Sequence, residues 1–206
     1  MSNLKWIIGV DEVGRGPLAG PVGVGVVFVS ADFDWNLIQG VGDSKKISPK
    51  NREAIFRRAE ILKYEKVINY SVTLVSAVTI DKIGIVPSIN QAMLKSLTQV
   101  SAGLNLKEVI VKLDGGLKAP TDFVNQETII RGDSQELAIG LASVLAKVVR
   151  DEYMENLAKN KDFSVYEFAK HKGYGTKKHR ELISGHGLTS EHRRSFCRKV
   201  MAQAQF

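Results

Sequence analysis

Two carboxylates, Asp11 and Glu12, directly follow a short apolar run near the start of the chain. Residues 6–10 have the composition of a buried strand. Charged side chains are seldom buried without a partner, so carboxylates that emerge from a core strand require a cation, and a metal ion is the obvious one. A lone Asp-Glu pair more often opens a solvated turn. The metal interpretation therefore depends on the surrounding motifs.

The next motif is Gly14-Arg15-Gly16. Its glycines let another molecule approach the main chain closely, and Arg15 places a positive charge beside the acids, as in a loop that handles phosphate. Residues 14–19 also fit the G-x-G-x-x-A form of the dinucleotide-binding fingerprint. That fingerprint must open a helix, whereas Pro17 and Pro21 lead into a second predicted strand. We therefore set dinucleotide binding aside.

A third acidic residue, Asp114, follows the apolar run 108–113 and precedes two glycines. Ligands gather at strand ends in open α/β sheets, so Asp114 would join Asp11 and Glu12 if the two strands were neighbours. The competing interpretation is a surface β-turn at Asp-Gly.

A fourth acidic residue, Asp133, precedes a long predicted helix. With Glu136 three residues further on, it has the pattern of a capping box. Taken without other information, this pattern favours a helix cap over a metal ligand.

The elements that must position these residues follow from hydrophobic periodicity and from turn and capping residues. We predict strands at 6–10, 20–30, 67–75, 108–113 and 127–130, and helices at 48–63, 88–101 and 134–159. The first two strands should pair antiparallel, because their connection is too short for a crossover helix. Gly23 and Gly25 share one face of the second strand, where another element must pack closely. Ser48 is the predicted N-cap of the first helix, with Pro49 at its first position.

Other polar groups lie near these elements. Ser44 and Lys45 stand just before the first helix, but residues 42–45 lack the spacing of a nucleotide P-loop. The helix at 134–159 carries a polar stripe that faces either the site or water. Its members are Glu136, Gly140, Ser143, Lys147 and Arg150.

Length and composition indicate one domain of ordinary soluble type, with 206 residues, 44% hydrophobic and 25% charged. The single cysteine, Cys197, excludes an internal disulfide framework, and the N-terminus lacks the apolar run of a signal peptide. The longest apolar run, near 22–29, is too short to cross a bilayer. We therefore expect a cytoplasmic protein with no membrane association.

The formal charge of +7 is concentrated at the C-terminal end of the chain. From residue 161 onwards the basic residues are Lys161, Lys170, Lys172, Lys177, Lys178, Arg180, Arg193, Arg194, Arg198 and Lys199. The acidic residues of the same segment are Asp162, Glu167, Glu181 and Glu191. A basic segment beside a nearly neutral body is typical of a protein that binds a polyanion. A solvated helical surface is the alternative interpretation.

We expect this basic segment to be helical. A short helix is predicted near 163–170, a second between the cap Thr176 and Gly187, and a last one that starts at Thr189 or Ser190. Tyr174 lies between glycines and lysines in the first connection, so its ring should be exposed. An accessible ring among positive charges is suited to stack on a nucleic acid.

With these motifs in place, the sequence resembles the ribonuclease HII family, the type 2 ribonucleases H, over nearly its whole length. The stretches that carry the resemblance are GVDEVGRGPL (9–18), DSKK (43–46), DG (114–115), GDS (132–134), AS (142–143), LAK (145–147), RD (150–151), HKGYGT (171–176) and HRRSF (192–196). The resemblance implies an α/β fold: a ribonuclease H-like mixed β-sheet flanked by helices. Residues 1–160 would form the catalytic core, and residues 161–206 a C-terminal basic helical extension of the same domain that binds substrate.

The resemblance also implies roles for individual residues. Asp11, Glu12, Asp114 and Asp133 match the family's metal-binding, catalytic carboxylates, which replaces the cap interpretation of Asp133. Gly14, Arg15 and Gly16 match the loop that recognises the ribonucleotide, and Tyr174 matches the tyrosine that stacks at the RNA–DNA junction. Further expected substrate contacts are Ser44, Lys45, Lys147, Arg150 and Lys172. One departure is Gly116, which stands where the family usually has Asn.

Four carboxylates without a Cys or His cluster are hard oxygen ligands, which suit Mg²⁺ or Mn²⁺ rather than Zn²⁺. Such ions serve phosphoryl transfer, and the resemblance implies a two-metal endonuclease that cleaves RNA–DNA hybrids and incises DNA 5′ of embedded ribonucleotides, as in ribonucleotide excision repair and DNA replication. Its products would carry 5′-phosphate and 3′-hydroxyl ends.

Alternative functions remain open at this point. Another ribonuclease H superfamily nuclease, of type 1 or a resolvase, would differ in substrate choice, and a non-catalytic nucleic-acid-binding module would not need four acids. We expect a monomer that binds RNA–DNA hybrids and ribonucleotide-containing duplexes. A sliding clamp is a conceivable partner, but we find no clear clamp-binding motif in residues 202–206.

Overall fold

The structure, a computed structural model, describes residues 4–203. The end of the segment searched for a clamp motif, residues 204–206, lies outside this range. The strands are β1 (Trp6–Val13), β2 (Val22–Ser30), β3 (Asn69–Val75), β4 (Val109–Asp114) and β5 (Gln126–Ile129). The helices are α1 (Pro49–Tyr64), α2 (Ala77–Ile83), α3 (Ile85–Val100), α4 (Leu137–Lys159), α5 (Phe168–His171), α6 (Lys177–His186) and α7 (Arg194–Gln203).

The strands form one mixed sheet in the order β3-β2-β1-β4-β5. β1 pairs antiparallel with β2, as the short connection predicts, and parallel with β4, while β4 pairs parallel with β5. The parallel pair places the carboxyl ends of β1 and β4 side by side at the centre of the sheet. The predicted mixed α/β sheet flanked by helices is confirmed.

Helices cover both faces of this sheet. On one face Ile89, Met93 and Leu97 of α3 pack into a core cluster that includes Val24 and Val26 of β2. On the other face α1 and α4 form a second cluster, which contains Ile55, Leu62, Leu141, Leu145 and Val27. Burial of these apolar side chains stabilises the packing of the helices on both faces of the sheet.

Helix α4 lies directly against the backbone of the central strands. A methyl group at Gly9 would lie 2.2 Å from the carbonyl carbon of Ala138, and one at Gly25 would lie 2.4 Å from the oxygen of Ala142. Only glycine on the strand side allows this approach. The close neighbour predicted opposite Gly25 is therefore confirmed, and it is α4. Because α4 contacts β1 so closely, polar residues along its face are held beside the carboxyl end of that strand.

Two predicted helix starts are wrong. Helix α4 begins at Leu137 rather than Ser134, since Gly132–Ser134 forms a 3-10 turn after Arg131, whose φ is 56°. The capping box is also absent, because the Glu136 side chain forms an ion pair with Lys112 instead of reaching back towards Asp133. The Asp133 side chain is therefore not committed to capping α4.

The last helix begins at Arg194, not at Thr189 or Ser190. The Nδ1 atom of His192 accepts from the backbone N–H and the hydroxyl of Thr189, which holds this segment in an irregular turn. Asp81 then caps α7 by accepting hydrogen bonds from the N–H groups of Arg194 and Ser195, at 2.7 and 3.0 Å. A cap from a distant helix is a tertiary contact that local sequence cannot indicate.

Other boundaries differ more modestly from the predictions. The helix predicted near 163–170 is a 3-10 turn, Ser164–Tyr166, followed by the short α5, because Glu167 and Lys172 both have positive φ and interrupt it. Helix α2 is absent from the prediction. Ser48 and Thr176 cap α1 and α6 as predicted, and Gly187 ends α6.

The C-terminal segment packs onto the core. Phe168 and Tyr166 contact Met154 of α4 and Ala19 in a small apolar cluster. An isolated β-bridge also joins Ala19 to His192. The segment is therefore attached where the loop after β1 turns. No helix within residues 4–203 is long and apolar enough to cross a membrane.

Candidate active site

Asp11 and Asp114 lie side by side on neighbouring strands, Asp11 two residues before the end of β1 and Asp114 at the end of β4. The parallel register pairs Val10 with Leu113, so the next residue on each strand is the carboxylate. Asp11 belongs to β1, where it is buried, and Asp114 ends β4, where it is partly buried. The two charges are close enough that Asp114 raises the pKa of Asp11. The expectation that neighbouring strands bring these acids together is confirmed by this pairing.

The 3-10 turn before α4 brings Asp133 to the same place. The N–H of Gly132 donates to Oδ1 of Asp114 at 2.6 Å, which ties this turn to the end of β4. Burial raises the pKa of Asp133, and the nearby charges of Asp114 and Asp43 raise it further. Like charges that raise the pKa of a carboxyl group in this way favour a cation between them.

Asp11 has a strongly raised pKa. Burial is the main cause that raises its pKa to about 7, and the charges of Asp114 and Glu12 add to this. A hydrogen bond from Ser143 of α4 opposes the shift. The hydroxyl of Ser143 also contacts that of Ser44, with the two oxygens 2.8 Å apart. Ser44 and Ser143 therefore connect the segment before α1 to the buried carboxyl group.

Glu12 is positioned differently. Its Oε1 atom accepts a hydrogen bond from Nη1 of Arg15 at 3.3 Å, while its own N–H donates to Oδ1 of Asp11 at 2.8 Å. Across residues 4–203, no three His, Cys, Asp or Glu side chains stand in an arrangement that could hold an ion without adjustment. Glu12 would have to turn from Arg15, and Asp114 shares one oxygen with Gly132, so the metal role of the four acids remains a proposal.

Two buried arginines, Arg150 and Arg193, hold the Gly14-Arg15-Gly16 loop and the residues after it through hydrogen bonds to backbone carbonyls. Gly14 has a φ of 78°, and a methyl group there would lie 2.2 Å from Nε of Arg150. Arg150 donates to the carbonyl oxygens of Ala19 and Pro21, at 3.2 and 2.8 Å. The second buried arginine, Arg193 of the C-terminal segment, donates to the carbonyl oxygens of the loop itself.

Tyr174 lies beside Arg150, one of these two arginines. Its side chain is 42% exposed, as predicted, and its ring centroid is 5.7 Å from the guanidinium carbon of Arg150. The preceding residue, Gly173, accepts hydrogen bonds from the N–H groups of Leu18 and Ala19, at 2.8 and 3.3 Å. The ring that could stack on a substrate is therefore fixed relative to the glycine loop.

Two buried histidines, His179 and His192, form a chain of hydrogen bonds that starts at the backbone of Tyr174. The carbonyl oxygen of Tyr174 is 2.9 Å from Nδ1 of His179, which must donate because a carbonyl only accepts. Nε2 of His179 then accepts from Nε2 of His192, 3.2 Å away, and Nδ1 of His192 accepts from Thr189. This chain requires both rings to be neutral, and burial lowers the pKa of each to about 4.

Five residues were predicted as additional substrate contacts, and the structure places them in different environments. Lys45 is exposed and close enough to lower the pKa of Asp133. Lys147 is paired with Asp151, and Lys172 with Glu155 at 2.6 Å, so both are partly shielded.

Ser44 and Arg150 require a correction. Ser44 is 4% exposed and Arg150 is fully buried, so in this structure neither side chain is a surface contact. Each is instead bonded to an element of the site: Ser44 to Ser143, and Arg150 to the backbone after the glycine loop.

Three groups were not among the predicted site residues. Ser143 was placed on the polar stripe, and its face of α4 does turn towards Asp11. Asp43 lies near Asp133 and is engaged by the N–H of Lys45 at 3.0 Å. Arg193 was counted only as part of the basic tail, and no local pattern distinguishes a buried arginine from an exposed one.

The sequence model of the ribonuclease HII family matches residues 8–199 of this chain. Ribonuclease HII of Caldicellulosiruptor bescii is 41% identical over 198 residues, which cover 96% of this chain and 89% of that protein. The structure of the PCNA:RNase HII complex from Archaeoglobus fulgidus contains a chain with a TM-score of 0.70 and 24% identity, with 97% of each chain covered. Bst-RNase HIII in complex with Mn²⁺ also gives a TM-score of 0.70, at 17% identity, and covers 99% of this chain and 71% of that one.

The two structural similarities concern the fold, since both identities are below 25%. They agree with the mixed sheet flanked by helices. The family match over residues 8–199 and the 41% identity to a relative covered over most of its length identify the chain itself. This protein belongs to the ribonuclease HII family.

Proposed function

We propose that this ribonuclease H-type hydrolase is a divalent-metal-dependent endonuclease that incises a duplex on the 5′ side of an embedded ribonucleotide. It would also cleave the RNA strand of RNA–DNA hybrids and leave 5′-phosphate and 3′-hydroxyl ends. The observation that carries the proposal is the register of β1 and β4, which sets Asp11 and Asp114 side by side at the centre of the sheet. Asp133 is tied to the same strand end through Gly132.

The donor set fits Mg²⁺ or Mn²⁺. Asp11, Glu12, Asp114 and Asp133 offer only carboxylate oxygens, which suit hard divalent cations. The raised pKa values of Asp11 and Asp133 express the repulsion and burial that a bound cation would offset. When bound, such ions supply Lewis-acid activation of water and charge stabilisation of the leaving 3′ oxygen.

The residues of the chain itself then position the substrate. The N–H of Gly132 holds the carboxyl group of Asp114, and Ser143 lies beside the carboxyl group of Asp11. Arg15 lies beside Glu12 with its side chain half exposed, where it can exchange the carboxylate for a phosphodiester. Lys45 contributes positive charge on the Asp133 side.

Selection of a single ribonucleotide depends on its 2′-hydroxyl, which both donates and accepts hydrogen bonds. We place this recognition at Gly14, Arg15 and Gly16. A site built to bond a hydroxyl can reject the analogue that lacks it by about 10⁴ to 10⁵. One hydrogen bond contributes only about 0.5–1.5 kcal/mol net. More than one contact in this loop must therefore take part.

The stacking position of Tyr174 would set the site of cleavage. An exposed ring of this kind can stack on the sugar that follows the ribonucleotide, while the glycine loop contacts the ribonucleotide. The contacts between Gly173 and residues Leu18 and Ala19 fix the distance between the two recognition elements. We propose that this spacing selects the phosphate on the 5′ side of the ribonucleotide for cleavage.

The remaining features fit a protein that binds nucleic acid. We propose that residues 161–206 bind the duplex as an extension of the catalytic core, and that the protein acts as a monomer. RNase HII from Archaeoglobus fulgidus has a structure in complex with PCNA, so we propose a sliding clamp as a partner to test.

The direct test is cleavage of a labelled duplex that contains one ribonucleotide, with and without Mg²⁺ or Mn²⁺. We expect cleavage 5′ of the ribonucleotide that requires the ion, and its loss in Asp11→Asn. The control is Asp32→Asn, an exposed acid just beyond the opposite end of the sheet from Asp11. Metal-independent cleavage, or full activity in pure Asp11→Asn, would contradict the proposal.

A further inference from the structure

Arg193 is a fully buried arginine that belongs to the C-terminal segment but serves the loop after β1. Its guanidinium donates to three carbonyl oxygens: that of Gly14 at 2.7 Å, that of Arg15 at 3.0 Å and that of Gly20 at 2.9 Å. Its backbone N–H donates to the oxygen of Leu18 at 2.8 Å. One residue therefore engages both ends of the segment 14–20.

These bonds determine where the N–H groups of the loop point. In a trans peptide the C=O bond and the following N–H bond lie in one plane and point in opposite directions, and no described peptide bond is cis. Because the carbonyls of Gly14 and Arg15 point towards the buried guanidinium, the N–H groups of Arg15 and Gly16 point away from it. Both residues are exposed, and neither N–H finds an acceptor within residues 4–203.

The two buried arginines also place positive charge next to the loop. Arg193 and Arg150 are both fully buried and lie close enough to affect each other's charge, yet neither forms a salt bridge among the residues that the structure describes. Nη1 of Arg150 is buried without any hydrogen-bond partner. Burial lowers the pKa of both arginines, whereas the charge of Asp151 raises the pKa of Arg150 and that of Asp81 raises the pKa of Arg193, so these carboxylates offset part of the positive charge. Because neither acid is in salt-bridge contact with them, the two guanidinium groups still contribute positive potential at the loop, which favours a phosphodiester there.

We propose that Arg193 is the positioning residue of the recognition loop, which turns the N–H groups of Arg15 and Gly16 towards the ribonucleotide. This inference rests on the proposed function and adds a source of selectivity to it. The C-terminal segment would thus set the specificity of the site, and would not only add charge for binding DNA. Arg193 acts through the loop and does not touch the substrate.

Arg193→Lys tests the proposal, because lysine keeps the charge but cannot present the planar fork that reaches three carbonyls. We expect kcat/KM for the single-ribonucleotide duplex to fall roughly tenfold or more, the equivalent of losing one or two hydrogen bonds. Cleavage of a long RNA–DNA hybrid should fall much less. Hydrogen exchange of a peptide that covers residues 14–20 should become faster, because the loop carbonyls lose the donors that hold them.

Arg58→Lys is the matched control, since Arg58 also donates to a backbone carbonyl, that of Leu37, but at an exposed position. It should change neither the substrate ratio nor the exchange of the loop. Equal losses on both substrates by folded Arg193→Lys, or unchanged loop exchange, would overturn the proposal.

A second measurement keeps the inference testable if Arg193→Lys does not fold. In the wild-type protein, the amide resonances of Arg15 and Gly16 should shift with a single-ribonucleotide duplex and shift less with the matched all-DNA duplex. Equal shifts with both duplexes would contradict the outward orientation. Failure of the wild-type protein to cleave any ribonucleotide-containing duplex would instead reject the proposed function itself.

Discussion

Asp11 combines burial with charge, and both features are visible at the start of the sequence as an apolar strand that ends in acids. The same strand-end pattern identified Asp114. The sequence could not tell whether Asp133 caps a helix or joins the other acids, because both arrangements have the same sequence pattern. The ion pair between Lys112 and Glu136, which replaces the capping box, is a tertiary contact. The burial of Arg193 is likewise determined by carbonyls more than a hundred residues away in the chain.

Asp11→Asn should stabilise the protein when divalent ions are absent. Burial holds the folded pKa of Asp11 at about 7, well above the 3.8 that is usual for an exposed aspartate. The folded state therefore binds the proton more tightly, and wild-type stability falls as the pH rises from about 4 to about 7. Asparagine keeps the hydrogen-bonding oxygen and has no charge, so the variant avoids this loss.

Urea unfolding in EDTA at pH 5 and pH 8 measures this effect. The advantage of Asp11→Asn over the wild type should be larger at pH 8, by up to a few kcal/mol in free energy of unfolding. A variant that is no more stable than the wild type at pH 8 would show that Asp11 is not under electrostatic strain.

Strand β1 and helix α4 together build the site. β1 supplies Asp11 and Glu12, while α4 supplies Ser143 and the buried Arg150. Periodicity predicted both elements, and glycines in the strands predicted a close neighbour. The sequence could not show that α4 starts three residues later than predicted, since the 3-10 turn depends on the bond between Gly132 and Asp114.

Gly9→Ala should destabilise the fold, because its methyl group would lie 2.2 Å from backbone atoms of Ala138 and backbone cannot rotate aside. Overpacking of this kind costs about 1–3 kcal/mol or more. Gly185→Ala, in the exposed part of α6 with nothing within 4 Å, should instead add roughly 0.5–1 kcal/mol, because it removes a helical glycine. Urea unfolding of both variants checks the contrast, and equal stability of Gly9→Ala and wild type would contradict the packing.

The molecule as a whole combines a nearly neutral sheet with a basic C-terminal segment, and the two are interlocked rather than merely adjacent. Phe168 and Cys197 are fully buried, and Arg193 bonds to the loop after β1. Removing residues beyond 162 would therefore expose core groups. The contribution of the segment to binding has to be measured with surface substitutions.

Replacement of Lys177, Lys178 and Arg180 by glutamine removes three exposed charges from α6. If these residues bind phosphates, the slope of log K against log salt should fall by roughly 0.9 for each phosphate that is no longer neutralised. Fluorescence anisotropy with a ribonucleotide-containing duplex in EDTA measures the slope without cleavage. Lys107→Gln, just before β4 at the end of the sheet opposite Asp114, is the control. An unchanged slope in the triple variant would show that these three residues do not bind phosphates and form only a solvated surface.

We propose that the glycine loop and Tyr174 together recognise a junction between RNA and DNA beside the carboxylates. Tyr174→Ala, compared with the wild type under single turnover, tests it most directly. We expect a much larger loss on a duplex with one ribonucleotide than on a long RNA–DNA hybrid, where many registers are available for cleavage. Equal losses on both substrates would show that Tyr174 contributes to binding or catalysis in general, and would contradict junction reading.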